Sequence, residues 1–390
     1  MDTKILFTLP SLIHKRILED NSRDYALSAY SSDVVMKCVL LLMENITNVS
    51  QHLLIDSQRR IDFFIEVLGA ALTLPANYIH FLRYVKKTYH KFFVDTSIFG
   101  ENMELVNTYL SKIIRQLSQP FALRERSNYN NDYMEFLSSI LDEFIFILTK
   151  KNKVLNKSSW TTTINVLIGV TDSLIFQRNI KDETFDKIIG KCFECCFGAH
   201  YICPYAFDET WNDFYRFTDQ WSQKEQFTDF WGKTVHELFS ILLEKTYDIP
   251  ICEQKQTAIS FFKFDSFQTD ILIIYFYHTL KAISYKQTIS SPDNYTKFVT
   301  VLFHLTDGLI KISKKTSNSS LFYGKHDALS FFDIFGRYLV HLPVVSSTDY
   351  DNALALNMNT IFSIIKSLNT EETEEVLIQL IVSLLQYVNE

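Results

Sequence analysis

No two of the nine glycines in this chain stand close enough to form a GxG, GxxG or GxSxG arrangement. Glycine supplies the left-handed turns and the close backbone approaches that other residues resist. Dinucleotide-binding α/β folds, phosphate-cradling P-loops and nucleophile elbows are built on closely spaced glycines. Those architectures are therefore excluded, and small β-barrels with them. Proline is as scarce, at seven residues, so Gly and Pro together reach only about a third of average usage. A disordered chain would be poor in aromatic residues; here 33 Phe, 20 Tyr and four Trp make up 15% of the sequence. What remains is a fold of long helices joined by short polar connections.

Apolar spacing supports this. Leu105, Tyr109, Leu110, Ile113, Ile114 and Leu117 form one helical stripe. Met134, Phe136, Leu137, Ile140, Leu141, Phe144, Ile145 and Leu148 form a wider one, which implies a helix covered from two sides. A last helix spans about 370–388 and opens on Glu371, Glu372, Glu374 and Glu375, where the helix dipole favours carboxylates. The pattern predicts about fifteen helices and no period-two strand. Pro75, Pro120, Pro204, Pro250, Pro292 and Pro343 recur at intervals of roughly 40–50 residues, with one double interval, and HEAT and armadillo repeats have that period. A chain of 390 residues is also too long for one compact core. The expected fold is all-α, an irregular α-solenoid of stacked helical hairpins, divided as 1–157, 158–285 and 286–390 within one continuous stack.

A net charge of −7 argues against a nucleic-acid or anionic-membrane surface. The N-terminus lacks the apolar core of a signal peptide. The most apolar stretches, 67–82 and 160–177, are interrupted by Pro75, Asn77 and His80 and by Asp172, so no membrane span is expected. The cysteines do not resemble a disulfide framework, and a cytoplasmic location is expected.

Candidate chemistry is sparse. Cys192, Cys195, Cys196, His200 and Cys203 have spacings that can bind zinc. Their setting among Phe193, Phe197 and Ala199 favours packed thiols on a buried helix face, and no metal or other cofactor is expected. His278 and His304 lie in apolar helices and read as core histidines. Asp142 and Glu143 look back on Ser138 and Ser139 and read as part of a solvated face. Tyr84, Lys86, Lys87, Tyr89, His90 and Lys91 interleave basic and aromatic residues. That pattern can stack on single-stranded nucleic acid, but reads better here as a solvated helix edge.

All four tryptophans fall within residues 160–231. Trp211, Trp221 and Trp231 are spaced by ten, which cannot keep them on one helix face. The spacing predicts that Trp211 opens a helix, Trp221 closes it, and Trp231 lies on the returning helix after a turn near 222–226. Core packing of one hairpin explains them without any family assignment.

The same window resembles the N-terminal helical region of the Ral GTPase-activating protein subunits, the beta subunit most closely. The matching residues begin at Trp160, with Leu167, Asp172 and Leu174. They continue through Cys192, Phe193, Glu194 and Phe197 to Cys203 and Pro204, and then Trp211, Trp221 and Trp231, followed by Val235, Leu238 and Leu242 and an apolar helix from Thr269 to Leu280. The resemblance covers residues 158 to 285. Ser222 and Gln223 stand where the family tends to place basic residues, and the loop from Pro204 to Trp211 is more acidic than the family's. Nothing resembles the family's C-terminal α/β GTPase-activating domain with its catalytic Asn, which implies a fragment, a short stand-alone homologue or a truncated gene product.

The resemblance implies a non-catalytic scaffold that works through protein contacts. The expected partners are a GTPase-activating subunit of the alpha type and, through it, a Ral-like small GTPase. The alternative is a generic α-solenoid adaptor in trafficking or nuclear transport. Direct acceleration of GTP hydrolysis would need an Arg or Asn supplied in trans. Arg124 and Arg178 lack supporting context, so no enzymatic activity and no catalytic residue are expected.

Overall fold

A computed structural model describes residues 32–46, 58–122, 130–176, 183–205, 208–249 and 258–283, and residues 294, 297, 301, 304 and 305 singly. Among these residues there are ten α-helices and no strand. In chain order they are α1 (Ser32–Ile46), α2 (Gln58–Ala71), α3 (Ile79–Val94), α4 (Met103–Leu117), α5 (Asn131–Lys150), α6 (Lys157–Ile175), α7 (Glu183–Ile202), α8 (Asp208–Trp221), α9 (Glu225–Tyr247) and α10 (Thr269–Lys281). The final helix expected over 370–388, most of 286–390, Arg124, Arg178, Cys252, Pro250, Pro292 and Pro343 lie outside the described residues. The chain divides into two compact units, residues 1–205 and 206–390. The segment 158–285 therefore extends into both.

Local sequence sets the helix limits. Three successive helices begin on an asparagine cap. Asn102 Oδ1 accepts from the Glu104 and Leu105 amides, Asn130 from Tyr133 N and Asn156 from Ser159 N. Each cap satisfies amides that the first turn cannot pair internally, a contribution of about 1 kcal/mol. Helix α9 ends at Asp248, which adopts the left-handed conformation at φ 51°. Of the prolines on described residues, Pro75 precedes the short 3-10 helix Ala76–Tyr78, Pro120 sits in the 3-10 turn Gln119–Phe121, and Pro204 follows α7.

In the first unit helices α2 to α5 each pack on the helix two places ahead, while α1 packs on α2 and α6 on α7. Helix α3 packs on α5 and α5 on α7; α2 packs on α4 and α4 on α6. Paired helices run in the same direction. Near the start of α3, Arg83 meets Asp132 at the start of α5, and at their far ends Lys151 Nζ donates to Val94 O at 2.9 Å. The side-chain bonds that join these rows connect residues 47 to 57 apart in sequence. Helices α4 and α6 are also tied near their starts by a buried polar clamp. Asn107 Nδ2 donates to Val154 O, Asn107 Oδ1 accepts from Asn156 N and Ser159 Oγ, and Ser111 Oγ lies 3.0 Å from Ser159 Oγ. Between the rows the core is aromatic and aliphatic. Tyr89, Phe93, Phe136, Phe144, Phe193 and Phe197 are fully buried, each such ring contributing about 1.5–3 kcal/mol of burial.

In the second unit α9 packs on α10, with Trp231 Nε1 donating to Thr279 O at 2.7 Å. Lys245 Nζ caps the carbonyls of Asp265 and Phe267 around the 3-10 turn Phe264–Ser266.

Candidate functional site

The residues that carry the family resemblance are mostly interior. Trp160 on α6 is 0% exposed and donates Nε1–H to Asn152 O at 3.3 Å. Trp211, Trp221 and Trp231 are 2%, 0% and 0% exposed. Trp211 lies in the first turn of α8, Trp221 ends that helix, and Trp231 lies on α9 after a short turn, as their spacing implied. Cys192 and Phe193 are buried on α7, while Asp172 on α6 and Glu194 on α7 are half-buried and Pro204 is exposed. The signature thus records how helices pack more than it records a surface.

Cys192, Cys195, Cys196 and Cys203 are all free and buried. They turn to different neighbours. Cys196 Sγ lies 3.1 Å from Thr171 Oγ1, Cys195 Sγ points at Leu141 O, and His200 Nδ1 lies 2.8 Å from Cys196 O on its own helix. Among the described residues no three His, Cys, Asp or Glu side chains converge on a point that would hold a metal ion. Burial raises the thiols of Cys192 and Cys195 well above their ordinary value and pushes Cys196 up to about 12 and Cys203 to about 11. A thiol held protonated is a poor nucleophile, so these four cysteines are packing groups.

A line of ion pairs crosses the row α3–α5–α7. Arg83 Nη2 lies 3.3 Å from Asp132, Lys86 Nζ 3.8 Å from Glu143, and Lys191 Nζ 2.6 Å from Asp142. Here the structure corrects two sequence expectations. Glu143 is not on a solvated face: it is 2% exposed and takes His90 Nδ1 at 3.0 and 3.1 Å on its two oxygens. Tyr89, read as part of a solvated edge, is 0% exposed, and its hydroxyl bonds Gln116 on α4. Both partners come from another helix, so no local spacing could show them.

In the second unit an aromatic cluster joins α8 to α10. The Trp211 ring stacks on His278 at 4.5 Å and 7°, Tyr215 OH lies 2.6 Å from His278 Nδ1, and Lys281 Nζ lies 5.1 Å from the Tyr215 ring centre and 5.7 Å from that of Tyr277. Ile274, one turn before His278, is 52% exposed, and Phe217 on α8 is 37% exposed. His278 is therefore a satisfied buried histidine whose neighbours reach the surface. Cation–π pairs of this geometry contribute about 0.5–1 kcal/mol, and half-exposed Tyr rings are common at protein interfaces. His304, expected from its apolar surroundings to be a core histidine, is instead exposed, and its ring lies 4.9 Å from that of His236. No helix among the described residues is long and apolar enough to cross a membrane.

Residues 130–249 match the family model described as the RALGAPB N-terminal domain. This stretch runs from α5 to the end of α9 and contains the signature residues from Trp160 to Leu242, but not the apolar helix from Thr269 to Leu280. The resemblance read from the tryptophan window stands, over limits that both begin and end earlier. No curated protein matches the chain.

Proposed function

We propose that this chain is a non-catalytic helical scaffold of a Ral-type GTPase-activating assembly, acting in the cytoplasm through protein contacts. The observation that carries the proposal is the family match over α5–α9, whose buried tryptophan and cysteine residues form the core of that region. A partner subunit of the alpha type, and through it a Ral-like small GTPase, follow from the family. The packing of α2, α3, α4 and α5 each on the second helix ahead, at a near-constant sequence offset, supports reading the first unit as an irregular α-solenoid, whose long faces suit assembly work. Affinity precipitation from native cells tests this. Recovery of an alpha-type subunit is expected, and recovery of neither an activating subunit nor a Ras-superfamily GTPase would count against the proposal. A single-turnover GTP hydrolysis assay with the purified chain is expected to show no acceleration. A generic trafficking or nuclear-transport adaptor is the second reading. It rests on the helix arrangement alone and would be favoured if cargo or coat proteins were recovered instead.

A further inference from the structure

A cleft of about 520 Å³ opens between the end of α4, the turn Gln119–Phe121 and one side of α6. That is within the size range of ligand pockets. Three features of its wall need explaining. First, among the described residues Arg115 is its one charged side chain, and no carboxylate pairs with it. Second, Gln119 Oε1 is buried without a hydrogen-bond partner. The turn around it is otherwise well satisfied. Arg115 O accepts from Ser118, Ser118 O from Phe121 N, Gln119 O from Ala122 N, Pro120 O from Tyr133 OH and Phe121 O from Ser173 Oγ. The orphaned acceptor has no open surface where it lies, so a donor meets it when the half-buried Gln119 side chain turns into the cleft. Third, Gly169 lies in mid-helix on α6, and a Cβ built there meets nothing within 4 Å. Alanine would favour the helix and fit, so internal packing does not require the glycine. Its missing side chain leaves the cleft floor open.

We propose that this cleft docks an acidic peptide segment of a partner protein. On docking, the Gln119 side chain turns to bring Oε1 to a backbone N–H of the segment, an Asp or Glu carboxylate pairs with the Arg115 guanidinium, and the peptide main chain passes close over Gly169. Phe121, Val166 and Val170 supply apolar wall. A carboxylate fits better than a phosphate, because a guanidinium pairs a carboxylate in fork geometry and no second cation stands among the described residues of the wall. The proposal does not depend on the small-GTPase reading.

The test uses the full chain and fluorescein-labelled, terminally blocked hexapeptide pools. One set fixes Asp or Glu at a single position with neutral residues elsewhere; the matched set fixes Asn or Gln. Fluorescence anisotropy is expected to show acidic pools binding about tenfold tighter than neutral ones, the discrimination of one charge-assisted pair. Arg115→Gln is expected to remove that preference, and Gly169→Phe to remove binding of both sets. Arg115 is exposed, so its variant keeps the test valid even if Gly169→Phe does not fold. Failure of every acidic pool to bind, equal binding of acidic and neutral pools, or variants that bind like the wild type would overturn the proposal.

Discussion

Glu237 on α9 should make the second unit less stable as pH rises. Its carboxyl is part-buried and accepts a hydrogen bond from Ala258 N at 2.7 Å. Desolvation pushes its pKa from an ordinary 4.5 up to about 7; the Ala258 hydrogen bond opposes the rise and the nearby Asp265 adds to it. Below the ordinary value the carboxyl is protonated in both folded and unfolded chains and has no effect. Between about 4.5 and 7 the unfolded chain releases its proton while the folded chain keeps it, so stability falls across that window and is flat above it. At about 1.4 kcal/mol per pH unit the full shift would correspond to about 3 kcal/mol. Solvent screening of a carboxyl that is only part-buried reduces this to about 1.5 kcal/mol. Glu237→Gln keeps an oxygen for Ala258 and removes the titration. The variant should match the wild type near pH 4.5 and exceed it by about 1.5 kcal/mol at pH 8. Urea unfolding at each pH, followed by tryptophan fluorescence, measures the difference, because Trp211, Trp221 and Trp231 all report on this unit. A wild-type–variant difference that does not change with pH would refute the reasoning, as would a variant less stable than the wild type at pH 8.

Trp231→Ala should cost about 3–5 kcal/mol in urea unfolding, since the ring is fully buried and its Nε1 bond to Thr279 is lost. Glu143→Ala should cost about 2 kcal/mol because it strips a buried carboxylate from His90 and Lys86, while Asp142→Ala, at an exposed pair with Lys191, should cost under about 0.5 kcal/mol; equal costs would contradict the burial. Gly69→Ala should destabilise by about 1–2 kcal/mol, because its Cβ displaces the Gln116 amide that bonds buried Tyr89, whereas Gly169→Ala should be neutral or stabilising by up to about 1 kcal/mol. In a variant with Cys38 and Cys252 replaced by Ser, the remaining thiols should react with a thiol reagent only after unfolding, which timed labelling with and without urea measures.

The parts of the fold that were legible in the sequence are those that local rules control. The stripe from Leu105 to Leu117 became α4, begun by its own Asn102 cap, and the wider stripe became α5, covered by α3 and α7 on different sides. The ten-residue tryptophan spacing placed Trp211 and Trp221 at opposite ends of α8 and Trp231 on α9 beyond the turn, because ten residues span about three helical turns. What could not be read was pairing between helices two apart. Residues one turn away say nothing of Glu143, whose partner His90 sits 53 residues earlier on α3, with Lys86 one turn before it. Arg115 and Gly169 drew no notice for the same reason. Neither belongs to a motif, and only the packing of α4 on α6 brings them to one wall.

That packing has a mechanical consequence. Helices α4 and α6 are joined near their starts by hydrogen bonds among Asn107, Asn156 and Ser159, and toward their far ends by the buried turn Gln119–Phe121, which packs on both helices and takes Ser173 Oγ on Phe121 O at 3.4 Å. Hydrogen bonds are directional and apolar contacts are not. The polar cluster at the starts therefore sets the register of one rod against the other, and the apolar contacts beyond it fill in whatever register it dictates.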